Sequence, residues 1–240
     1  MVANACAEIR GIVFDLDGTL YVCDRYAAEI HAEAVGYIAA LMQISTAEAG
    51  LIMAATRLRL VEESGTVPTI SAVCTGLGGN GPDLHRVFLQ KLRPEAYLVR
   101  DERVIRLLKR LAEKFTLAIY TNNNRALTAR IMNCLGLDGL IAHIFTIDDT
   151  WRGKPDEEMV CRVLAALKLS PEEALFVGDR YDVDLRVPEQ LGCPVYLSQH
   201  LEQLLRLEEL ISRSGITPSA GISATPADRT VKEPKSPLDF

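Results

Sequence analysis

The sequence predicts an α/β fold: a Rossmann-like, doubly wound parallel sheet with an inserted α-helical cap. Three observations lead to this prediction. Short apolar runs alternate along the chain with amphipathic helical patterns, which is typical of βαβ units and a parallel sheet. One stretch, residues 21–95, breaks this alternation with helical patterns alone. Polar residues, many of them acidic, directly follow several of the apolar runs.

Five apolar runs predict the strands of the sheet. The first is GIVF at residues 11–14, which the turn-forming pair Gly18-Thr19 follows within a few residues. Three patterns with apolar residues on one helical face precede or separate the later runs, at residues 101–114, 125–135 and 155–167. The four later runs occupy residues 115–120, 143–147, 174–177 and 194–197.

The interruption after the first strand predicts a helical insertion. A helical pattern covers residues 29–42, and residues 84–92 form another candidate helix. Between them, Ser45-Thr46-Ala47-Glu48 has the pattern of a capping box, which predicts the start of a second helix.

These patterns predict the domain boundaries. Residues 1–20 and 96–213 form the α/β core, and residues 21–95 form the cap. Residues 214–240 are rich in Pro, Ser, Thr, Ala and Gly and have little apolar periodicity. We expect them to form a flexible tail, because such a segment buries too little surface to offset its ordering entropy.

Composition excludes several classes of partner. The chain has 240 residues, of which 48% are hydrophobic, and a formal net charge of −6 without a basic stripe, so we expect no nucleic acid duplex as partner. It has no run of 18 apolar residues and no basic, apolar leader, so we expect neither a membrane span nor a signal peptide. The six cysteines form no CxxC pair, which favours reduced thiols in a cytoplasmic protein. Oligomeric state is not indicated.

The first strand leads directly into a pair of carboxylates, Asp15 and Asp17. Side chains two residues apart leave a strand on the same side, so we expect the two to converge past its carboxyl end. In open α/β sheets, ligands bind at that edge. Two carboxylates so placed repel each other unless a cation or a shared proton relieves them. The pair therefore predicts a functional site.

Three other segments add complementary groups at the same edge. Thr121-Asn122 follows the second strand and precedes a helix, where a hydroxyl and backbone N–H groups form an anion site. Lys154-Pro155 precedes another helix and adds an ammonium, with Pro155 suited to the first helical position.

Gly178-Asp179 ends the fourth strand, with Asp182 and Asp184 close behind. Asp179 is a candidate to join Asp15 around Mg²⁺, which prefers oxygen ligands. Together these segments provide what phosphoryl transfer requires: a carboxylate nucleophile, and cationic groups that neutralise the phosphoryl oxygens.

In these motifs the sequence resembles the haloacid dehalogenase superfamily of phosphohydrolases. Asp15-Leu16-Asp17-Gly18-Thr19-Leu20 is similar to its first motif and Thr121-Asn122 to its second. Lys154-Pro155 is similar to the third, and Gly178-Asp179 with Asp182 and Asp184 to the acidic fourth. The resemblance covers residues 10–200, and the predicted helical insertion resembles the superfamily's helical cap. More loosely, the chain resembles the pyrimidine 5′-nucleotidase and phosphoglycolate phosphatase branches.

The resemblance implies a role for each catalytic residue. Asp15 would attack phosphorus and form an aspartyl-phosphate. Asp17 would protonate the leaving alcohol and then accept a proton from the hydrolytic water, which requires a pKa above the ordinary value of about 3.9. Thr121 and Lys154 would bind the phosphoryl oxygens, with Asn122 assisting through its backbone.

The resemblance also implies a magnesium site. Asp15, the main-chain carbonyl of Asp17, and Asp179 would hold Mg²⁺, and Asp182 or Asp184 would orient a metal-bound water. We favour Asp184, because the Gly-Asp-Arg-x-x-x-Asp spacing recurs in this superfamily.

The resulting hypothesis is a Mg²⁺-dependent phosphatase acting on a small phosphorylated metabolite. Two alternatives stay open: a phosphomutase on the same scaffold, and a binding or regulatory protein without turnover. Dehalogenation is disfavoured, because a leaving halide needs no proton and Asp17 would be idle.

Two local features qualify the prediction. Residues 76–81 fit GxGxxG but follow no strand, so we expect a flexible loop in or beside the cap rather than a dinucleotide site. Pro188 is expected to break or restart the helix after the fourth motif.

Overall fold

The fold is an α/β sandwich around one parallel sheet, as predicted. The structure is a computed structural model and describes residues 8–214. All strand pairs are parallel, and the order across the sheet is β3-β2-β1-β4-β5. The strands are β1 (Gly11–Phe14), β2 (Thr116–Tyr120), β3 (His143–Phe145), β4 (Ala174–Gly178) and β5 (Val195–Leu197).

The helices cover both faces of the sheet. Ile12 and Phe14 of β1 belong to an apolar core shared with α5 and α6, whereas Val13 belongs to a second core shared with α7. Alternate residues of β1 thus face opposite helical layers, which makes the sheet doubly wound. Within residues 8–214 the α-helices are α1 (Asp24–Met42), α2 (Thr46–Ser64), α3 (Ile70–Gly76), α4 (Gly81–Lys91), α5 (Glu102–Ala112), α6 (Arg125–Leu135), α7 (Glu157–Leu167), α8 (Arg186–Gln190), α9 (Leu201–Leu205) and α10 (Leu207–Ser214).

The strand register brings the predicted site residues to one edge. Phe14 pairs with Ile119 of β2 and with Val177 of β4. The segments after β1, β2 and β4 therefore begin side by side, and Asp15 is the first residue of its segment. Its backbone N–H still donates to the carbonyl of Val177, at 2.8 Å, which holds this residue against β4.

Four helices, α1 to α4, lie within residues 21–95, where the sequence predicts the insertion. The predicted capping box is present: the Ser45 side chain accepts from Glu48 N, and the Glu48 carboxylate accepts from Ser45 N at 3.0 Å. The apolar side chains of the insertion continue the core that contains α5 and α6. The division into a core and a cap stays a prediction, and the predicted tail lies outside the described residues except for Ser214.

Several predicted boundaries need correction. The expected flexible loop at residues 76–81 is a four-residue connection, since α3 ends at Gly76 and α4 begins at Gly81. Hydrogen bonds hold it: Gly79 N donates to the Cys74 carbonyl at 2.9 Å, and Asn80 N donates to the Tyr37 hydroxyl at 3.0 Å. Helix α3 itself was not predicted, because its seven residues are too few for a clear period.

Two prolines behave differently from each other. Pro155 does not open α7; the helix begins at Glu157, because Asp156 is its N-cap and accepts from Met159 N at 3.2 Å. The helix after β4 is restarted near Pro188, as predicted. A π-helical turn at Tyr181–Leu185 precedes α8, and Pro188 lies in the first turn of α8, where its missing N–H is least costly.

Two composition-based expectations can be compared with the structure. No single helix between residues 8 and 214 is long and apolar enough to cross a membrane; only the pair α1 and α2, bent by 104°, meets the length and composition requirements jointly. The five described cysteines are free thiols: Cys23, Cys74, Cys134, Cys161 and Cys193. The cytoplasmic location stays a prediction.

A buried histidine lies where α4 meets the segment after β3. His85 is 3% exposed, and its ring packs edge-on against Phe88 and Trp151. Neither ring nitrogen has a hydrogen-bond partner among the described residues. Burial lowers the pKa of His85 to about 4, with Asp148 opposing that effect. The fold therefore requires the neutral imidazole.

We expect His85 to make stability fall at mildly acidic pH. Below about pH 6.5 the unfolded chain binds a proton that the folded chain rejects until about pH 4, so this contribution is complete above pH 6.5 and is lost on acidification, by about 3 kcal/mol at most. Urea unfolding of the wild type and His85→Phe at several pH values measures it. His85→Phe should show a smaller loss than the wild type, while His200→Gln, at an exposed histidine, should match the wild type. Parallel profiles for the wild type and His85→Phe would contradict the assignment.

Candidate active site

A buried ammonium lies at the centre of the strand ends. Lys154 Nζ donates to Asp15 Oδ1 at 2.5 Å, to Asp184 Oδ1 at 2.6 Å and to the carbonyl of Tyr120 at 2.9 Å. The side chain of Lys154 is 3% exposed. One cation thus joins the segments that follow β1, β3 and β4 to the last residue of β2.

The charges in this cluster are unequally stabilised. Burial opposes the charge of Lys154, but Asp15 and Asp184 outweigh it and raise its pKa. Burial alone would raise the pKa of Asp184, yet Lys154 and Arg180 lower it below its ordinary value. Burial raises the pKa of Asp15 to about 7, although Lys154 pulls in the opposite direction. Lys154 and Asp184 therefore form the ionised pair, and Asp15 lacks full compensation for its charge.

Asp17 is held in place by three donors. The Tyr21 hydroxyl donates to Asp17 Oδ1, Asn123 Nδ2 donates to Oδ2 at 2.6 Å, and Thr121 Oγ1 donates to Oδ2 at 3.4 Å. Burial raises the pKa of Asp17, against the effect of the Tyr21 hydrogen bond and Lys154. The raised pKa agrees with the protonated Asp17 that the family resemblance implies.

Tyr21 and Asn123 were missed by the sequence analysis. Asn123 belongs to the three-asparagine run after β2, so its neighbourhood was identified but not its contact. Tyr21 directly follows the first motif, and the turn at Gly18 brings it back to Asp17. Gly18 N donates to the Tyr21 carbonyl at 2.9 Å to close that turn.

The asparagines after β2 have separate structural tasks. Asn122 Oδ1 accepts from Lys154 N at 2.7 Å, so this side chain holds the segment that carries the lysine. Asn124 caps α6 by accepting from Leu127 N at 2.8 Å, and its Nδ2 donates to the His85 carbonyl at 3.1 Å. The predicted backbone contribution of Asn122 to phosphate binding stays a prediction.

Three carboxylates form a group that fits a hard cation. Asp15, Asp179 and Asp184 each offer one oxygen, and these oxygens lie within 4.8 Å of one another. Asp179 Oδ1 is buried without a hydrogen-bond partner among the described residues, and burial with the nearby Asp184 raises the pKa of Asp179. Oxygen donors with excess negative charge are what Mg²⁺ prefers.

Asp184 joins this group, whereas Asp182 does not. Asp184 is 4% exposed, and its Oδ2 accepts from Arg180 N at 3.1 Å. Asp182 is only partly buried and lies beside a cleft between the insertion and the strand ends. Of the two residues that the sequence left open as metal support, the structure brings only Asp184 into the carboxylate cluster.

Two glycines allow the carboxylates to approach the strand ends. Gly18 has a φ of +88°, and a Cβ there would lie 2.5 Å from Asp179 Oδ2. A Cβ on Gly178 would lie 2.4 Å from Asp184 Cβ. Side chains at either position would displace a carboxylate of the cluster.

Arg180 is a second cation that the sequence analysis did not single out. Burial opposes its charge, but Asp179, Asp184, Asp15 and Asp17 outweigh burial and raise its pKa. Its Nη1 is buried without a hydrogen-bond partner within the described part of the chain. Arginine is commonly a surface residue, so nothing in the sequence indicated that Arg180 would be buried beside the carboxylates.

The geometry and the sequence comparison agree on the family. A model of the haloacid dehalogenase-like hydrolase family matches residues 9–192. This chain belongs to that family. The match spans every residue of the carboxylate and lysine cluster, and the α/β fold with its parallel sheet is that of the family's solved members.

Curated relatives cover most of the chain. A glyceraldehyde 3-phosphate phosphatase of Methanocaldococcus jannaschii is 27% identical over an alignment 199 positions long, gaps included, which covers 77% of this chain and 82% of the relative. A phosphoglycolate phosphatase of Salmonella typhi is 24% identical over an alignment 232 positions long, gaps included, which covers 80% of this chain and 81% of the relative.

Solved structures share the fold. A haloacid dehalogenase-type phosphatase from Thermococcus onnurineus superposes with a TM-score of 0.57 at 17% identity, covering 85% of this chain and 98% of the other. A 2-haloacid dehalogenase from Pseudomonas syringae pv. Tomato gives a TM-score of 0.53 at 21% identity, covering 85% and 99%. The same fold is thus present in proteins named for two different reactions.

We expect Mg²⁺ to stabilise the folded protein through the three carboxylates. A ligand that binds only the folded state at about 100 times its Kd adds about 2.7 kcal/mol, which raises Tm by about 5–10 °C for a chain of this size. Differential scanning fluorimetry with and without MgCl₂ measures the shift. Asp179→Asn should lose most of it, whereas Asp182→Asn, in the same segment but outside the cluster, should keep it. Equal shifts in both variants would contradict the proposed ligand set.

Proposed function

We propose that this protein is a Mg²⁺-dependent phosphatase that hydrolyses a small phosphomonoester through an aspartyl-phosphate on Asp15. The observation that carries the proposal is the pairing of Asp15 with buried Lys154 beside a separately held Asp17. The family membership and the phosphatase names of the relatives support the same reaction.

Asp15 is suited to act as the nucleophile. It is the first residue after β1, and its backbone is fixed to β4, so its carboxylate is held at the sheet edge rather than on a mobile loop. One of its oxygens would bond to phosphorus while the phosphorus–oxygen bond of the ester breaks. Lys154 and Thr121 would bind the phosphoryl oxygens, as the ammonium and hydroxyl offer donors at this edge.

Asp17 is suited to carry the proton. Its raised pKa favours the protonated carboxyl, which can donate to the departing alkoxide. The resulting carboxylate would then accept a proton from water as that water attacks phosphorus and releases Asp15. Hydrogen bonds from Tyr21 and Asn123 fix the carboxyl group between these two steps.

The residues for Mg²⁺ are Asp15, Asp179 and Asp184, with the main-chain carbonyl of Asp17 as the fourth candidate. When bound there, the cation would offset the negative charge shared by these carboxylates and the substrate phosphoryl group. Including Asp184 among the candidate ligands extends the set expected from sequence, because its oxygen lies with those of Asp15 and Asp179.

Substitution of the nucleophile should abolish hydrolysis. We expect Asp15→Asn to lower kcat for p-nitrophenyl phosphate by at least about a thousandfold, because the amide cannot form the intermediate. Phosphate release with and without Mg²⁺ measures it, and circular dichroism verifies that the variant is folded. Asp138→Asn, at an exposed turn, is the control and should retain wild-type activity. Equal activity in wild type and Asp15→Asn would remove Asp15 from this role.

Substitution of the proton donor should depend on the leaving group. We expect Asp17→Asn to lose at least about tenfold more activity with an alkyl phosphate than with p-nitrophenyl phosphate, since a good leaving group needs little protonation. The ratio of kcat/KM for the two substrates, measured in both proteins, tests this. An identical loss for both substrates would show that Asp17 is not the general acid.

A further inference from the structure

A cleft next to the proposed active site indicates which leaving groups it accepts. Its volume is about 310 Å³, at the lower end of the range for small-molecule sites. One wall comes from the insertion, at the end of α2 and the connection to α3. The other comes from the strand-end segments, at Lys154, Pro155, Asp182 and Val183.

The position of the cleft connects it to the phosphoryl site. Lys154 lines the cleft and also contacts Asp15, the proposed nucleophile. A phosphoester whose phosphorus lies at Asp15 and whose oxygens contact Lys154 would extend its organic part toward the insertion. On the proposed function, the cleft would therefore take the leaving group, and its lining would decide which groups fit.

The lining lacks a cation that could receive an anionic leaving group. Lys154 is the one basic residue among the described residues that line the cleft, and the proposed function already assigns its ammonium to the phosphoryl oxygens. Two carboxylates, Glu63 and Asp182, belong to the lining. Arg59 outside the lining pairs with Glu63 at 2.9 Å, so Asp182 is left as the principal negative charge.

The remaining polar groups of the lining are hydroxyls. Ser64 Oγ lies 3.1 Å from Thr66 Oγ1, and Thr69 Oγ1 accepts from Ala72 N at 3.1 Å, which leaves its hydroxyl hydrogen to donate. Leu60, Val67 and Pro68 supply apolar surface beside them. Hydroxyls and apolar surface suit a small uncharged alcohol, whereas a carboxylate here would lose hydration without gaining a cationic partner.

We infer that this protein prefers phosphomonoesters of small uncharged alcohols over those whose leaving group carries a carboxylate or a second phosphate. The inference rests on the proposed phosphatase function. It favours the kind of substrate for which the Methanocaldococcus relative is named, whose glyceraldehyde leaving group is uncharged. It disfavours the kind for which the Salmonella relative is named, whose glycolate leaving group is anionic.

A matched pair of substrates tests the preference. Glycerol 3-phosphate and 3-phosphoglycerate differ in having a hydroxymethyl group or a carboxylate at the far end. We expect kcat/KM for glycerol 3-phosphate to be at least about tenfold higher in the wild type. Thr66→Lys places a cation in the lining and should lower that ratio by at least about tenfold. Thr66→Gln, of similar length but uncharged, is the control and should keep the ratio within about threefold of wild type.

The outcomes separate this inference from the proposed function. If p-nitrophenyl phosphate is hydrolysed but the wild type prefers 3-phosphoglycerate, the inference is wrong and the phosphatase proposal stands. The same holds if Thr66→Lys and Thr66→Gln change the ratio equally. If none of the three phosphomonoesters is hydrolysed with Mg²⁺ present, the proposed function is itself contradicted and the inference falls with it.

Discussion

The arrangement of this site depends on the buried ammonium of Lys154. It contacts Asp15 after β1, the carbonyl of Tyr120 on β2, and Asp184 after β4, while its own segment follows β3. Four of the five strands thus contribute to one set of hydrogen bonds. Removing one partner from a buried ion pair costs about 3–5 kcal/mol, because the other charge stays without compensation. The contacts that position the nucleophile are therefore also contacts that hold the strand-end segments together.

The cluster has more negative than positive groups, and this excess of negative charge favours the binding of a cation. Two formal negative charges exceed the cations when all groups are ionised. Burial is the largest cause of the raised pKa values of Asp15, Asp17 and Asp179, and neighbouring carboxylates add to it at Asp15 and Asp179. A divalent cation matches the excess in charge, and its ligands would be the same carboxylates. The four carboxylates and two cations are Asp15, Asp17, Asp179 and Asp184 with Lys154 and Arg180.

The sequence predicted the strands and most helices, which have periodic apolar patterns, and the site residues that directly follow a strand. Alternating apolar runs specify a parallel sheet, and the register of a parallel sheet then aligns the first residue after each strand, as for Asp15. The side chains that hold Asp17 were not predictable in this way. Tyr21 reaches it through a turn that depends on the left-handed φ of Gly18, and Asn123 donates to it from 106 residues further along the chain. Both depend on three-dimensional geometry that no periodic pattern encodes.

The segment after β4 shows why adjacent acidic residues cannot be assigned from spacing alone. The π-helical turn Tyr181–Leu185 directs Asp184 back toward β4, where its carboxylate accepts from Arg180 N and from Lys154 Nζ. Asp182, two residues earlier, instead borders the cleft beneath the insertion. Side chains two residues apart on a helical turn point in nearly opposite directions, so spacing alone does not say which of the two faces the strand ends. One short turn therefore supplies a carboxylate to the charge cluster and another to the leaving-group cleft, so that the proposed chemistry and the proposed selectivity depend on the same five residues.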